Sequence, residues 1–212
     1  MPDTVLITGF EPFGGGARNP SEAVVRAIAE TRAGSSLIAE ILPVEYAAAE
    51  RRLQQLLWKH RPMAWLGLGL NQRATAIALE RVAVNLDDAS IADNSGEVRQ
   101  GQTIDPVGPE SYRSTLPLEE IAEDLRKLQI PLMFSESAGR FVCNHVFYRG
   151  MDTFKQANSA GIGGFVHIPW PCDWEEMPAV GHSVTLLTMI RAGQGCLTAI
   201  MRELRTQKNV AT

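Results

Sequence analysis

Short apolar runs of strand length alternate along this chain with longer segments whose apolar residues recur at helical spacing. Val5-Leu6-Ile7-Thr8 reads as a buried strand, ended by glycines at 9 and 14–16. Asn19-Pro20-Ser21-Glu22 then reads as a helix start. Asn19 can cap, Pro20 suits the first helical position, and Glu22 sits where a capping box wants a carboxylate. Val24, Val25 and Ile28 form the expected inner face. Residues 37–43 give a second strand, and 47–60 a second helix with Leu53, Leu56 and Leu57 inward. Residues 64–68 give a third strand.

Residues 75–86 alternate and favour extended structure, which predicts a longer strand or hairpin arm. Residues 87–108 are rich in Asp, Gly, Asn and Pro and read as a surface excursion. A helix follows over 118–128, with Ile121, Leu125 and Leu128 inward, then a strand over 131–135 and a helix over 143–158. Another strand covers 164–169. The last helix is expected over 183–205, weakened by Gly193 and Gly195. Alternation of this kind predicts one α/β domain over 1–212, an open, twisted, mainly parallel but mixed sheet with helices on both faces.

Composition adds bounds rather than direction. A chain of 212 residues can build one sizeable core and is short for two. With 45% hydrophobic and 21% charged residues it is ordinary for a globular protein. A net charge of −4, with Lys and Arg scattered, gives no electrostatic case for nucleic acid or an anionic membrane. No apolar run approaches the roughly 20 residues that span a bilayer. Three widely spaced cysteines resemble neither a disulfide framework nor a zinc site, so a reduced, cytoplasmic setting is expected.

Candidate chemistry begins with Cys143, which follows Gly139 closely and heads an amphipathic run. A thiol at a helix N-terminus feels the unpaired backbone N–H groups, which favour its thiolate. The alternative is a small buried hydrophobe, as most free cysteines are. Cys196, inside the last helix, and Cys172, in a loop after Trp170-Pro171, are weaker candidates.

Of the histidines, His60 ends a polar helix and His182 reads as surface. His145 lies two positions after Cys143, and residues so spaced on a helix point to nearly opposite faces. His167 instead ends the apolar run Gly164-Phe165-Val166-His167-Ile168-Pro169, where sites gather in α/β sheets. Pattern alone leaves it between a catalytic role and a structural hydrogen bond. Glu80 is a carboxylate in an extended apolar run, and strand statistics favour an outward residue, solvated or paired with Arg81. Asp87, Asp88 and Asp93 read as turn residues. Gly9-Phe10-Glu11-Pro12-Phe13-Gly14-Gly15-Gly16 lacks the endings of phosphate loops, and its phenylalanines suggest either an aromatic pocket wall or a satellite apolar cluster.

Taken together these segments resemble the pyroglutamyl peptidase I family of cysteine exopeptidases. The matching residues are Ile7-Thr8-Gly9-Phe10-Glu11-Pro12-Phe13-Gly14, Asn19-Pro20-Ser21, Glu80-Arg81-Val82-Ala83-Val84-Asn85 and Asp93-Asn94. They continue with Tyr112-Arg113-Ser114-Thr115-Leu116-Pro117, Ala138-Gly139-Arg140-Phe141-Val142-Cys143-Asn144-His145 and the run ending in His167. The resemblance implies Cys143 as nucleophile, His167 as general base and acid, and Glu80 as the group orienting the imidazole. It implies that Phe10 and Phe13 sandwich a pyroglutamyl ring, with Leu70, Asn71 and Val142 also touching substrate. It further implies peptides with N-terminal pyroglutamate as substrates, a homo-oligomer (dimer or tetramer), and no metal or organic cofactor.

The chain departs from the family pattern in two loops. Arg73 falls one place earlier than the usual arginine, and Ser90 and Ala92 stand where an arginine and a proline are usual. Two readings from other classes compete with the peptidase: a non-catalytic module that binds pyroglutamyl peptides, and a nucleotide- or nucleoside-processing enzyme with the glycine loop at a phosphate.

Overall fold

A computed structural model describes residues 4–32, 36–157, 161–175 and 184–210. The elements run β1 (Val5–Phe10), α1 (Pro20–Thr31), β2 (Leu37–Leu42), α2 (Tyr46–His60), β3 (Ala64–Leu70), β4 (Ile77–Glu80) and β5 (Val82–Val84). Then come β6 (Ser111–Arg113), α3 (Leu118–Lys127), β7 (Leu132–Ser135), α4 (Val142–Ala157), β8 (Ile162–Ile168) and α5 (Leu186–Val210). Six strands form one sheet in the order β2-β1-β3-β8-β4-β7, and β5 pairs with β6 in a small separate ribbon. All neighbours in the large sheet are parallel except β4 and β8, which run antiparallel. The sheet is therefore mixed and mainly parallel, as its apolar alternation predicts.

Strand periodicity sorts the side chains into two layers. Val5, Ile7, Leu66, Leu68, Ile77, Leu79 and Val166 face one cluster, which α1, α3 and α5 cover. Leu6, Phe10, Trp65 and Phe165 face the other, beneath α2 and α4. Helices thus lie on both faces, and both sides of the central strands are dry. Asn19 caps α1 by accepting from the Ser21 N–H at 3.0 Å, with Pro20 in the first turn. Glu22 makes no reciprocal capping bond and pairs with Arg26 at 2.8 Å instead.

Four expectations change. The extended run over 75–86 is two strands, not one. The chain leaves the large sheet at Arg81, whose N–H donates to Ser135 O while its carbonyl accepts from Ser114 N–H. Leu128 is 55% exposed rather than inward. Helix α3 ends at Lys127, Gln129 turns left-handed (φ 57°), and Ile130 takes the buried place. The last helix begins at Leu186 and continues to Val210, beyond the expected 205, while Ser183, His182 and Asn158 lie outside the described residues.

The fourth change concerns the excursion over 87–108, which is stapled down. Asp93 is a turn residue as expected: its Oδ1 accepts from Ser95 and Glu97 N–H groups. Its Oδ2 also accepts from Tyr46 N–H at 3.0 Å, at the start of α2. Asp87 is fully buried and pairs with His145 and Arg99. Glu11 braces the same region, since its Oε1 accepts from Val44 N–H and from Asn94 Nδ2. A polar composition concealed this attachment, which rests on two of its carboxylates, Asp87 and Asp93, finding buried partners.

Candidate active site

The ends of β3, β4 and β8 and the start of α4 meet on the α2/α4 face of the sheet. His167 falls on that face by alternation with Phe165, and Glu80 by alternation with Leu79. In the antiparallel register Ala78 lies opposite His167 and Glu80 opposite Phe165. Glu80 is therefore the diagonal neighbour of His167, within reach of a long side chain. His167 Nδ1 lies 2.8 Å from Glu80 Oε1, and both side chains are buried. Glu80 is not an outward surface charge: helices cover both faces of this strand, so neither face offers solvent.

The other imidazole nitrogen, Nε2, is left for Cys143, whose thiol is close enough to act on the ring. Burial disfavours charge on His167, but the bonds with Cys143 and Glu80 override it and push its pKa up to about 10. His167 thus holds its proton at neutral pH. Cys143 is half-buried in the first turn of α4, reached through Gly139, whose φ of 78° suits glycine. The turn ladder begins with His145 N–H donating to Phe141 O at 3.1 Å. The N–H groups of Val142 and Cys143 precede that first bond and are free to face a ligand.

Gly69 on β3 pairs in register with His167. A Cβ built at Gly69 would sit 2.8 Å from Cys143 Sγ and 2.8 Å from the Phe165 ring. Its hydrogen is what makes room for the thiol. Pattern reading missed this residue, although a glycine in a buried strand is itself a signal of close approach.

Above the thiol opens a pocket of about 420 Å³ lined by Phe10, Phe13, Leu70, Asn71, Val142, Cys143 and His167, among others. All five expected substrate-contacting residues therefore reach one cavity. Phe10 is buried with its ring 6.3 Å from that of Phe165, while Phe13 lies 6.0 Å from Phe141. Phe141 is a wall residue that the pattern did not single out, although it stands inside the cysteine motif. Ile91 also lines the rim, between the exposed Ser90 and Ala92. The glycines at 14 and 15 are exposed turn residues with positive φ and take no part in the lining.

His145 and the other two cysteines separate cleanly from the site. His145 points away, with Nδ1 2.8 Å from Asp87 Oδ2 and Nε2 3.1 Å from Glu50 Oε2. Burial opposes its charge, but those two carboxylates raise its pKa. Cys196 is fully buried in α5, and burial pushes its thiol up to about 12. Cys172 is half-buried in the loop after β8.

A thiol, an imidazole and a carboxylate in line, at the floor of an apolar pocket, are the parts of a cysteine-nucleophile hydrolase. Comparisons with known proteins agree. The pyroglutamyl peptidase family model matches residues 3–202. A pyrrolidone-carboxylate peptidase from Cupriavidus pinatubonensis is 39% identical over 209 residues, covering 98% of this chain and 95% of that one. Another from Gloeobacter violaceus is 39% identical, over 97% and 98%. Among solved structures, pyroglutamyl peptidase I from Bacillus amyloliquefaciens superposes with a TM-score of 0.88 at 34% identity, covering 94% and 95%. A mutant pyrrolidone carboxyl peptidase from Pyrococcus furiosus gives 0.88 at 32% identity, over 95% and 99%. The chain belongs to the pyroglutamyl peptidase family.

Proposed function

We propose that this protein hydrolyses the bond after an N-terminal pyroglutamyl residue, with Cys143 as nucleophile, His167 as proton carrier and Glu80 as its orienting partner. The observation that carries the reading is the Cys143–His167–Glu80 line at the floor of an aromatic-walled pocket. Sulfur attacks the pyroglutamyl carbonyl, and the unpaired Val142 and Cys143 N–H groups hold the oxyanion. His167 gives its proton to the departing amine as the C–N bond breaks, leaving a thioester. Neutral His167 then takes a proton from water, which attacks the thioester and releases 5-oxoproline and the free thiol.

The pocket suits a neutral lactam. Aromatic faces from Phe10, Phe13 and Phe141 pack against a flat ring, and no carboxylate among the described lining residues stands ready to hold an ammonium. A peptide with a free amino terminus would bring an unpaired charge into an apolar cleft. Family membership leaves the binding-module and nucleotide readings without support.

No helix among the described residues is long and apolar enough to cross a membrane. Three unpaired cysteines suit work in the reducing cytoplasm. By family likeness the protein works there as a homo-oligomer, a dimer or tetramer. The test is release of a chromophore from a pyroglutamyl amide, with and without a thiol alkylator. Alkylation of Cys143 is expected to stop release. No release by the untreated protein, or release undiminished after Cys143 is fully alkylated, overturns the reading.

A further inference from the structure

The mouth of the pocket carries positive charge that the reaction leaves unused. Two guanidinium groups, Arg73 and Arg140, line it. Arg140 is already committed. Its Nη1 lies 3.0 Å from Asp88, and its carbonyl accepts from the Asp88 N–H at 2.9 Å. Arg73 is not. Its backbone N–H donates to Asn71 Oδ1 at 3.0 Å, and Ala74 N–H donates to Asn71 O at 3.0 Å. The loop after β3 is thus closed on itself, and the base of Arg73 is fixed. The guanidinium has no hydrogen-bond or ion-pair partner among the described residues. A cation fixed at its base and unpartnered at its head among the described residues, beside a cleft with no carboxylate among its described lining residues, is half of an ion pair.

The loop that carries Arg73 follows directly on the end of β3, where Gly69 lies against the thiol, and Phe13 and Phe141 pack together on the pocket wall. With a pyroglutamyl ring seated among the phenylalanines and its carbonyl at the thiol, the residue that follows would leave the pocket floor towards the rim, where Arg73 stands exposed. Pyroglutamyl peptides have no terminal ammonium near the scissile bond, and the charged group they can offer a guanidinium there is a carboxylate.

We propose that Arg73 binds a carboxylate carried by the residue that follows the pyroglutamyl group, so that short or acidic pyroglutamyl peptides are preferred substrates. This rests on the pyroglutamyl-peptidase reading above. The carboxylate has two sources, the free C-terminus of a dipeptide or an acidic side chain, and paired substrates separate them. One pair is pyroglutamyl-alanine and its C-terminal amide. The other is pyroglutamyl-glutamate amide and pyroglutamyl-glutamine amide.

At low ionic strength the charged member of a pair is expected to have the higher kcat/KM by about fivefold, the scale of one exposed ion pair, mostly through KM. Added salt shrinks the difference. Arg73→Gln brings the ratio close to one, and Arg73→Lys keeps part of it. A preference in the first pair alone identifies the C-terminal carboxylate, and in the second alone the acidic side chain. Ratios of one in both pairs for the wild type, or a preference that survives Arg73→Gln, overturn the assignment while hydrolysis of the amides leaves the peptidase reading standing. Failure to cleave any of the four overturns that reading and this one with it.

Discussion

Two buried histidines, His145 and His167, sit among carboxylates on the same side of the sheet and serve different ends. His145 has both nitrogens tied to acids, Asp87 at 2.8 Å and Glu50 at 3.1 Å. Arg149 bonds the same Glu50 at 2.6 Å, and Arg99 the same Asp87 at 3.0 Å. Burial alone would raise the Glu50 pKa, yet hydrogen bonds from His145 and Arg149 hold it at about 2. The network joins α2, α4 and the 87–105 segment, and His145 does not line the pocket above the thiol. His167 has one nitrogen tied to Glu80 and the other turned to a thiol below an open pocket. Burial and a raised pKa are common to both. What separates the two is a second nitrogen that faces a thiol and an open pocket.

That contrast breaks most sharply at the sulfur. Cys143→Ser should lower turnover of a pyroglutamyl amide by at least about 10³-fold with the thermal transition unchanged, because the imidazole loses its nucleophile. Residual turnover near wild type would move the chemistry elsewhere. Glu80→Gln comes next, with an expected loss in kcat of about 10³-fold, since the amide mis-sets the imidazole tautomer. Steady-state kinetics showing an unchanged kcat would assign the orienting role to another group.

Gly69→Ala probes position rather than chemistry. The added methyl presses on Cys143 Sγ and Phe165, and a displacement of that scale is expected to cost about 10²-fold in kcat/KM. Full activity with an unmoved thiol would show that the strand can yield. His145→Gln inverts the pattern. Removing the cation from between Asp87 and Glu50 should destabilise the fold by about 3 kcal/mol in urea titrations, while kcat/KM of the folded protein stays close to wild type. A large kinetic loss with intact stability would erase the distinction between the two histidines.

The smallest effect is in pH. The folded-state pKa of His145 is raised, so its stabilisation is complete below the unfolded value of about 6.5 and fades as pH rises through the folded value. The stability gap between wild type and His145→Gln should be widest in mild acid and narrow towards alkaline pH. A constant gap would mean that His145 does not titrate in the fold.

Much of this was legible in the pattern. Apolar strand-length runs alternating with helical segments predict a mainly parallel sheet with helices on both faces, Asn19-Pro20 predicts the start of α1, and helical rotation sets His145 apart from Cys143. Glu80 was less legible. Its place in an apolar strand favours an outward residue, solvated or paired with Arg81, and only the reversed direction of β4 beside β8 brings it diagonal to the imidazole. Asp87 misled for the converse reason: a loop-rich composition says nothing about which carboxylates find buried cations. Leu128 followed the helical period one residue past Lys127, where α3 ends before Gln129 turns the chain.

By itself, then, the sequence determined the elements, the layers they form and the short list of reactive side chains, because hydrophobic period and capping are local and act within a few residues. The tertiary structure alone decided which histidine meets the thiol, which glycine clears its path, and which arginine at the rim is left without a partner among the described residues. Those choices depend on strand order and direction, which bring residues 69, 80, 143 and 167 together from four separate elements.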